Sequence, residues 1–188
     1  MDLDYDGDER TFTDDQRKQL HFVDGLNRVL QPKRFQINYT TYDVRRDQDT
    51  LRPGHGAAIM ALSRECDDDA HPFWYAHVLG AFYIDVEYTG TAPCTSYTMD
   101  FLWVRWFGTV PGHRWGLKQA RLPKIGFIAD SPAAFGFLDP SLVIRACHLI
   151  PAFADGRTDT LLRQGPSAAR VAGDTDDWAS YYVNMQVH

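Results

Sequence analysis

The side chains able to do chemistry are present in ordinary numbers and in no catalytic spacing. The histidines His21, His55, His71, His77, His113, His148 and His188 form no His-Glu-x-x-His run. Nor do they form a His-x-Glu partnered by Pro-Cys-x-x-Cys, the other arrangement that would hold a zinc ion. His71 and His77 fall on one face of an extended segment, but roughly 20 Å apart, too far for a single ion. Cys66, Cys94 and Cys147 are odd in number and scattered, which fits neither a disulfide framework nor a Cys-x-x-Cys zinc site. No Gly-x-Ser-x-Gly elbow and no phosphate loop occurs. Asp85, Asp100, Asp130, Asp139 and Asp177 could supply carboxylates for two-metal chemistry, yet no alternating strand and helix order surrounds them. The expectation is a protein with no catalytic residue, no metal and no cofactor.

What remains is aromatic surface. Phe, Trp and Tyr make up 13% of the chain and concentrate between residues 71 and 107. Ring faces attract ammonium and guanidinium groups, each contact contributing about 0.5–2 kcal/mol. Trp103, Trp106 and Trp115 are therefore the candidate ligand-binding rings. Glu65, Asp67, Asp68 and Asp69, just upstream, are the candidate carboxylates for a positively charged ligand. That acidic run lacks the alternate oxygen ligands of a calcium loop. Each feature has a plainer reading that we rank first: Trp106 as core, and the acidic run as a solvated loop.

The elements that must position these residues are strands. Residues 73–87 alternate and are rich in β-branched and aromatic types, residues 100–107 do the same, and Thr89-Gly90-Thr91-Ala92-Pro93 separates them. Both faces of the pair are apolar, which predicts an antiparallel pair lying between other elements. Further strands are expected at residues 33–47, 58–62 and 124–128, with residues 131–140 as a turn-rich connection. Residues 141–153 read as a closing strand, or as a helical turn at 140–143 running into a strand. Thr13 and Gln16 have capping-box spacing, and Leu20, Val23 and Leu30 recur at helical intervals, which predicts an amphipathic helix over residues 14–30. The expected layout is an acidic disordered N-terminus at 1–13, a helix and lead-in strand at 14–54, a β-domain at 55–153 and a loosely structured C-terminal arm at 154–188. Within that arm, residues 176–183 read as a short element docking back through its aromatics.

Charge and hydropathy narrow the function classes. The net charge of −6 disfavours autonomous nucleic-acid binding, which needs a basic face, and permits a basic partner. No apolar run approaches the roughly 18 residues of a membrane span. The acidic start, MDLDYDGDER, lacks the layout of a secretory signal, so an intracellular setting is expected.

The strings PFWYAHVLGAFY and FLWVRWFG resemble the central strands of BAH (bromo-adjacent homology) domains. AAIMALSRE sits where that family has its first strand, and LDPSLVIRACHLIPAF resembles its closing strand, with Arg145 and Cys147 at the basic and cysteine positions. The resemblance covers residues 55–155. It implies a mostly β fold: a partly closed BAH-like β-barrel, here with an N-terminal helix and a C-terminal arm. It also places Trp106 where some BAH domains have one wall of a methyl-lysine cage. A second resemblance runs through INYTTYDVRRDQDTLRPGHGAAIMALSRE, IGFIADSPAAFGFLDPSLVIRACHLIPAFADGRT and DDWASYYVNM. These are similar to proteins associated with Plavaka and other KDZ-type DNA transposons of mushroom-forming fungi. The expected function is a non-enzymatic, nuclear, chromatin- or transposon-associated interaction module that binds a histone tail or another protein. The alternative is an accessory DNA-binding domain of a transposase. Arg105, Arg114, Lys118, Arg121 and Lys124, with Arg45, Arg46 and His113, would then converge on one face around Trp115.

Overall fold

The computed structural model describes residues 13–23, 28–40, 45–63, 71–90, 93–171 and 173–184. Glu65, Asp67, Asp68 and Asp69 lie outside the described residues, as does the acidic N-terminus. The fold is mostly β, as expected. In chain order the elements are a single-turn helix α1 (Asp14–Arg17), then β1 (Leu20–Phe22), β2 (Phe35–Thr40), β3 (Arg46–Leu51) and β4 (Ala58–Leu62). They continue with β5 (Phe73–Tyr88), β6 (Thr95–Thr109), β7 (Lys124–Phe127), β8 (Phe135–Leu138), β9 (Val143–Pro151), β10 (Arg157–Thr158), β11 (Asp177–Trp178) and β12 (Tyr181–Asn184). Among the described residues no helix is long and apolar enough to cross a membrane.

The long pair is present where alternation predicted it. Phe82 stacks on Phe101, and three residues further along β5 and three earlier along β6 Thr98 donates to Asp85, so the strands run antiparallel. The period-two pattern slips once. Ala76, Val78 and Ala81 share one apolar cluster, so an extra residue is accommodated at Leu79-Gly80. A Cβ on Gly80 would come within 2.5 Å of the Phe82 ring, which accounts for glycine at the slip.

Pairing continues from β5 through β4, β9, β12, β7 and β6 back to β5, a ring-like sheet. All six strands contribute to one apolar cluster that includes Tyr75, Met60, Leu149, Val183, Ile125 and Phe107. Residues of opposite parity, Ile59, Val78, Leu102 and Val104 among them, form a second cluster. Ile37 of β2 joins that second cluster, with Phe35 and Leu51 of the β2–β3 hairpin packed against it. The long pair is thus buried on both faces over Tyr75–Ala81 and Leu102–Phe107, whereas Thr95–Asp100 of β6 are exposed.

Three expectations change. The helix over 14–30 shrinks to one turn. The capping box forms between Thr13 and Gln16, but Leu20–Phe22 leaves the helix and pairs with the C-terminal end of β5, Leu20 opposite Tyr88 and Phe22 opposite Val86. A single-turn helix with no buried residue has nothing to propagate it, whereas β5 offers backbone partners. The segment 33–47 is not one strand, because its basic end starts the return strand β3. The turn-rich connection over 131–140 contains a strand, β8, whereas the element expected to dock back near the C-terminus does so, β12 filling the gap between β9 and β7 and completing the ring.

By compactness the chain divides into two units. One comprises residues 1–30 with 83–100, the other residues 31–82 with 101–188. The features below all belong to the second.

Candidate functional site

The three candidate tryptophans do not converge. Trp106 is half-buried, packs against the cluster of Leu102 and Val104, and meets Trp74 edge to face at 6.1 Å. Gly136 lies beneath it, where a Cβ would stand 2.8 Å from the indole Nε1. Trp103 projects from the opposite face of β6, in register with Phe137. Trp115 stacks on the His71 imidazole at 4.5 Å. Trp106→Ala is expected to cost about 2 kcal/mol, below the roughly 3–5 kcal/mol of a fully buried Trp. Thermal unfolding measures it, and an unchanged midpoint would mean that the ring makes no packing contribution.

The cations of the nucleic-acid reading also separate. Arg105 is 1% exposed and is not available to a phosphate. Lys124 bonds Asp155 at 2.7 Å, and that hydrogen bond raises its pKa while lowering that of Asp155. Arg114, Lys118 and Arg121 are exposed in the connection between β6 and β7, and Arg46 is exposed at the start of β3.

Arg105 is buried because β6 alternates it into the ring between Trp103 and Phe107. Its guanidinium lies 3.8 Å above the Phe127 ring and donates to Asp177 at 2.8 and 3.1 Å and to the Ala169 carbonyl. Arg170 donates to the same carboxylate at 3.0 and 3.3 Å, and to the carbonyls of Leu162, Arg163 and Gly165. Burial raises the Asp177 pKa, but the hydrogen bonds and charges of Arg105 and Arg170 outweigh it and hold the carboxyl below its usual value. Two guanidiniums therefore share one carboxylate, with backbone carbonyls and the Phe127 ring face as further partners, while Arg105 Nε has no hydrogen-bond partner among the described residues. Nothing in the local sequence around Arg170 or Asp177 announces this. The one signal is Arg105 itself, a charge in an apolar, alternating strand, which requires a buried anion from elsewhere.

Beside this cluster is a half-open cavity of about 160 Å³, walled by Ala58, Phe107, Phe127, Leu149 and Tyr181. His77 of β5 reaches into it, 3% exposed, and its Nε2 has no hydrogen-bond partner among the described residues. Burial, then the charge of Arg105, push the imidazole down to about 4, against the opposing pull of Asp177. Asp174 and Asp176 stand at the rim and are both engaged by Arg157. Elsewhere, burial lifts the Cys147 thiol to about 12 against the pull of Arg145, leaving it protonated and weakly nucleophilic. Among the described residues no group of three or more His, Cys, Asp or Glu side chains could hold a metal ion.

The other exceptional surface is the edge made by β8, a strand where the sequence predicts only a turn-rich connection. β7 pairs with Phe107–Thr109 and β8 with Leu102–Arg105, both antiparallel, so the two lie end to end along β6. β12 covers β7, but no strand among the described residues covers the outer edge of β8. Phe137 is 67% exposed there, in register with Trp103 and edge-on to Phe101 at 5.6 Å, with Phe82 stacked beyond at 5.4 Å. Asp130 and Asp139, both exposed, precede and follow the strand. No protein-family model, no curated protein and no solved structure matches this chain.

Proposed function

We propose that the protein is a non-enzymatic interaction module that binds an extended, basic segment of a partner protein along the outer edge of β8. The observation that carries this reading is Phe137. It sits at an open strand edge, exposed over two-thirds of its surface, in register with Trp103 and edge-on to the Phe101 ring that stacks on Phe82. An unpaired edge offers backbone donors and acceptors to an incoming strand, and alternate side chains of that strand would meet the rings. The rings favour cations, and Asp130, Asp139 and the net charge of −6 favour a basic segment. A histone tail is one such segment and, given the resemblance to BAH domains, the first to test; a nuclear, chromatin-associated role would follow.

A peptide array of methylated and unmethylated histone tails, followed by titration at two salt concentrations, tests the reading. Phe137→Ala is expected to weaken the best binder by about 2- to 30-fold, the range for loss of one cation–ring contact, while leaving the fold intact. Equal binding by the variant would remove the site. Affinity for duplex DNA that falls roughly a thousandfold between 50 and 200 mM salt would favour the accessory DNA-binding alternative instead.

A further inference from the structure

The geometry points to a second binding site, independent of the β8 edge: the cavity beside Arg105 takes a small, neutral aromatic ring carrying one hydrogen-bonding group, which pairs with Nε2 of His77. Size, wall chemistry, polar anchor and charge each contribute to that description. A volume of about 160 Å³ is close to that of an engineered protein cavity of roughly 150 Å³ that admits benzene. The walls are three rings and aliphatic groups. Phe107 and Phe127 are stacked at 4.2 Å, and Tyr181 meets both edge to face at 5.7 and 5.9 Å; with Arg105 over its ring as well, Phe127 offers an edge to a further aromatic, beside the Phe107 and Tyr181 rings.

The polar anchor is singular. Asp177 and Arg170 line the same cavity, but their hydrogen-bonding capacity is spent on each other, on Arg105 and on carbonyls. His77 Nε2 is the buried polar atom on this wall with no partner among the described residues. A buried polar atom left unpaired is costly, so a ligand group that meets it gains more than a group placed in water would.

Charge decides the class. Behind the cavity Arg105 and Arg170 exceed Asp177 by one positive charge, at the rim Asp174 and Asp176 exceed Arg157 by one negative charge, and the six groups together sum to zero. The same surroundings that keep the imidazole uncharged oppose a cationic ligand next to Arg105, and the rim carboxylates oppose an anion. A phenol, an indole or an azole fits; a benzoate or a benzylammonium does not. The ring could come from a free molecule or from a tyrosine side chain of a partner, since both present the same phenol.

The test is a titration of the full chain with phenol, benzene, benzoate and benzylamine, followed by NMR shifts. Phenol is expected to shift His77, Phe107, Phe127 and Tyr181 saturably. Benzene should bind about 2- to 10-fold more weakly for lack of the hydrogen bond, and the charged analogues more weakly still. His77→Leu should bring phenol down to the level of benzene. Should that variant fail to fold, Val171→Trp decides, because Val171 is at the mouth and 39% exposed, and a larger side chain there should block phenol without touching the core. A tyrosine-bearing peptide that displaces phenol identifies a partner side chain as the source, and a peptide that does not leaves a free small molecule. The assignment is overturned if phenol produces no saturable shift at these residues, if a charged analogue binds as tightly, or if Val171→Trp leaves phenol binding unchanged.

Discussion

Asp177→Ala is expected to lower the stability of the protein by about 3–5 kcal/mol, the cost of removing one member of a buried ion cluster. The effect is large because of what stays behind. Arg105 and Arg170 are 1% exposed at the side chain and would keep two positive charges in a dry interior with no anion between them. The loss should spread beyond the point of substitution. Asp177 is the link by which the segment after β9 is fastened to β6, and the Ala169 carbonyl is bonded by the same Arg105. Urea unfolding gives the free energy. Hydrogen exchange should in addition show residues 162–178 opening with a lower free energy than the strands β5 and β6. Replacing all three residues together, Arg105→Met, Arg170→Met and Asp177→Leu, should cost far less than the single change, since no charge is then left uncompensated. A single-site loss below about 1 kcal/mol would mean that water reaches the cluster.

The second large effect is a loss of stability in mild acid. The unfolded His77 imidazole takes up a proton near its ordinary value of about 6.5, while the folded one, buried beside Arg105, resists until about 4. Between those values the unfolded state holds more protons, so stability falls as pH falls, and the loss is complete below about 4. The window corresponds to about 3 kcal/mol. Arg105 and Asp177 are the charged groups facing the imidazole, and only Asp177 can titrate. Its folded value is depressed, so its own contribution is present above the ordinary carboxylate range and disappears only at more acidic pH, which leaves the slope just below about 6.5 to His77. Denaturant unfolding at pH 7 and pH 4.5, with His77→Gln as the flat comparison, measures the effect. An NMR titration placing His77 near its ordinary value of about 6.5 would contradict the buried, unpartnered geometry.

How far the sequence can be read follows from what kind of force orders each part. β5 and β6 are legible because alternation, β-branching and a turn-rich break all agree, and where both their faces are apolar, over Tyr75–Ala81 and Leu102–Phe107, they are buried on both sides. The slip at Gly80 is not, because a single extra residue leaves composition unchanged. Residues 14–30 mislead because Leu20, Val23 and Leu30 fit a helical period, while the pairing of Leu20–Phe22 with β5 is a non-local contact that no local pattern reports. β8 is four residues between Pro132 and Pro140, and the turn signals on either side hide it. The C-terminal segment reads as loose because it lacks periodicity. Its order comes instead from individual side chains, Arg157 on Asp176 and Arg170 on Asp177, whose partners cannot be matched from sequence. Of the candidate rings, Trp103 is in register with the exposed Phe137, while Trp106 packs against the cluster of Leu102 and Val104.

The most direct test of a binding module with its site at the edge of β8 is hydrogen exchange on the full chain, with and without the best-binding basic peptide. An added strand must bond backbone groups along that edge, so the amides of Phe135–Leu138 should slow on binding, with little change at Trp115 or in the connection carrying Arg114, Lys118 and Arg121. Protection appearing in that connection, with none at Phe135–Leu138, would contradict the account.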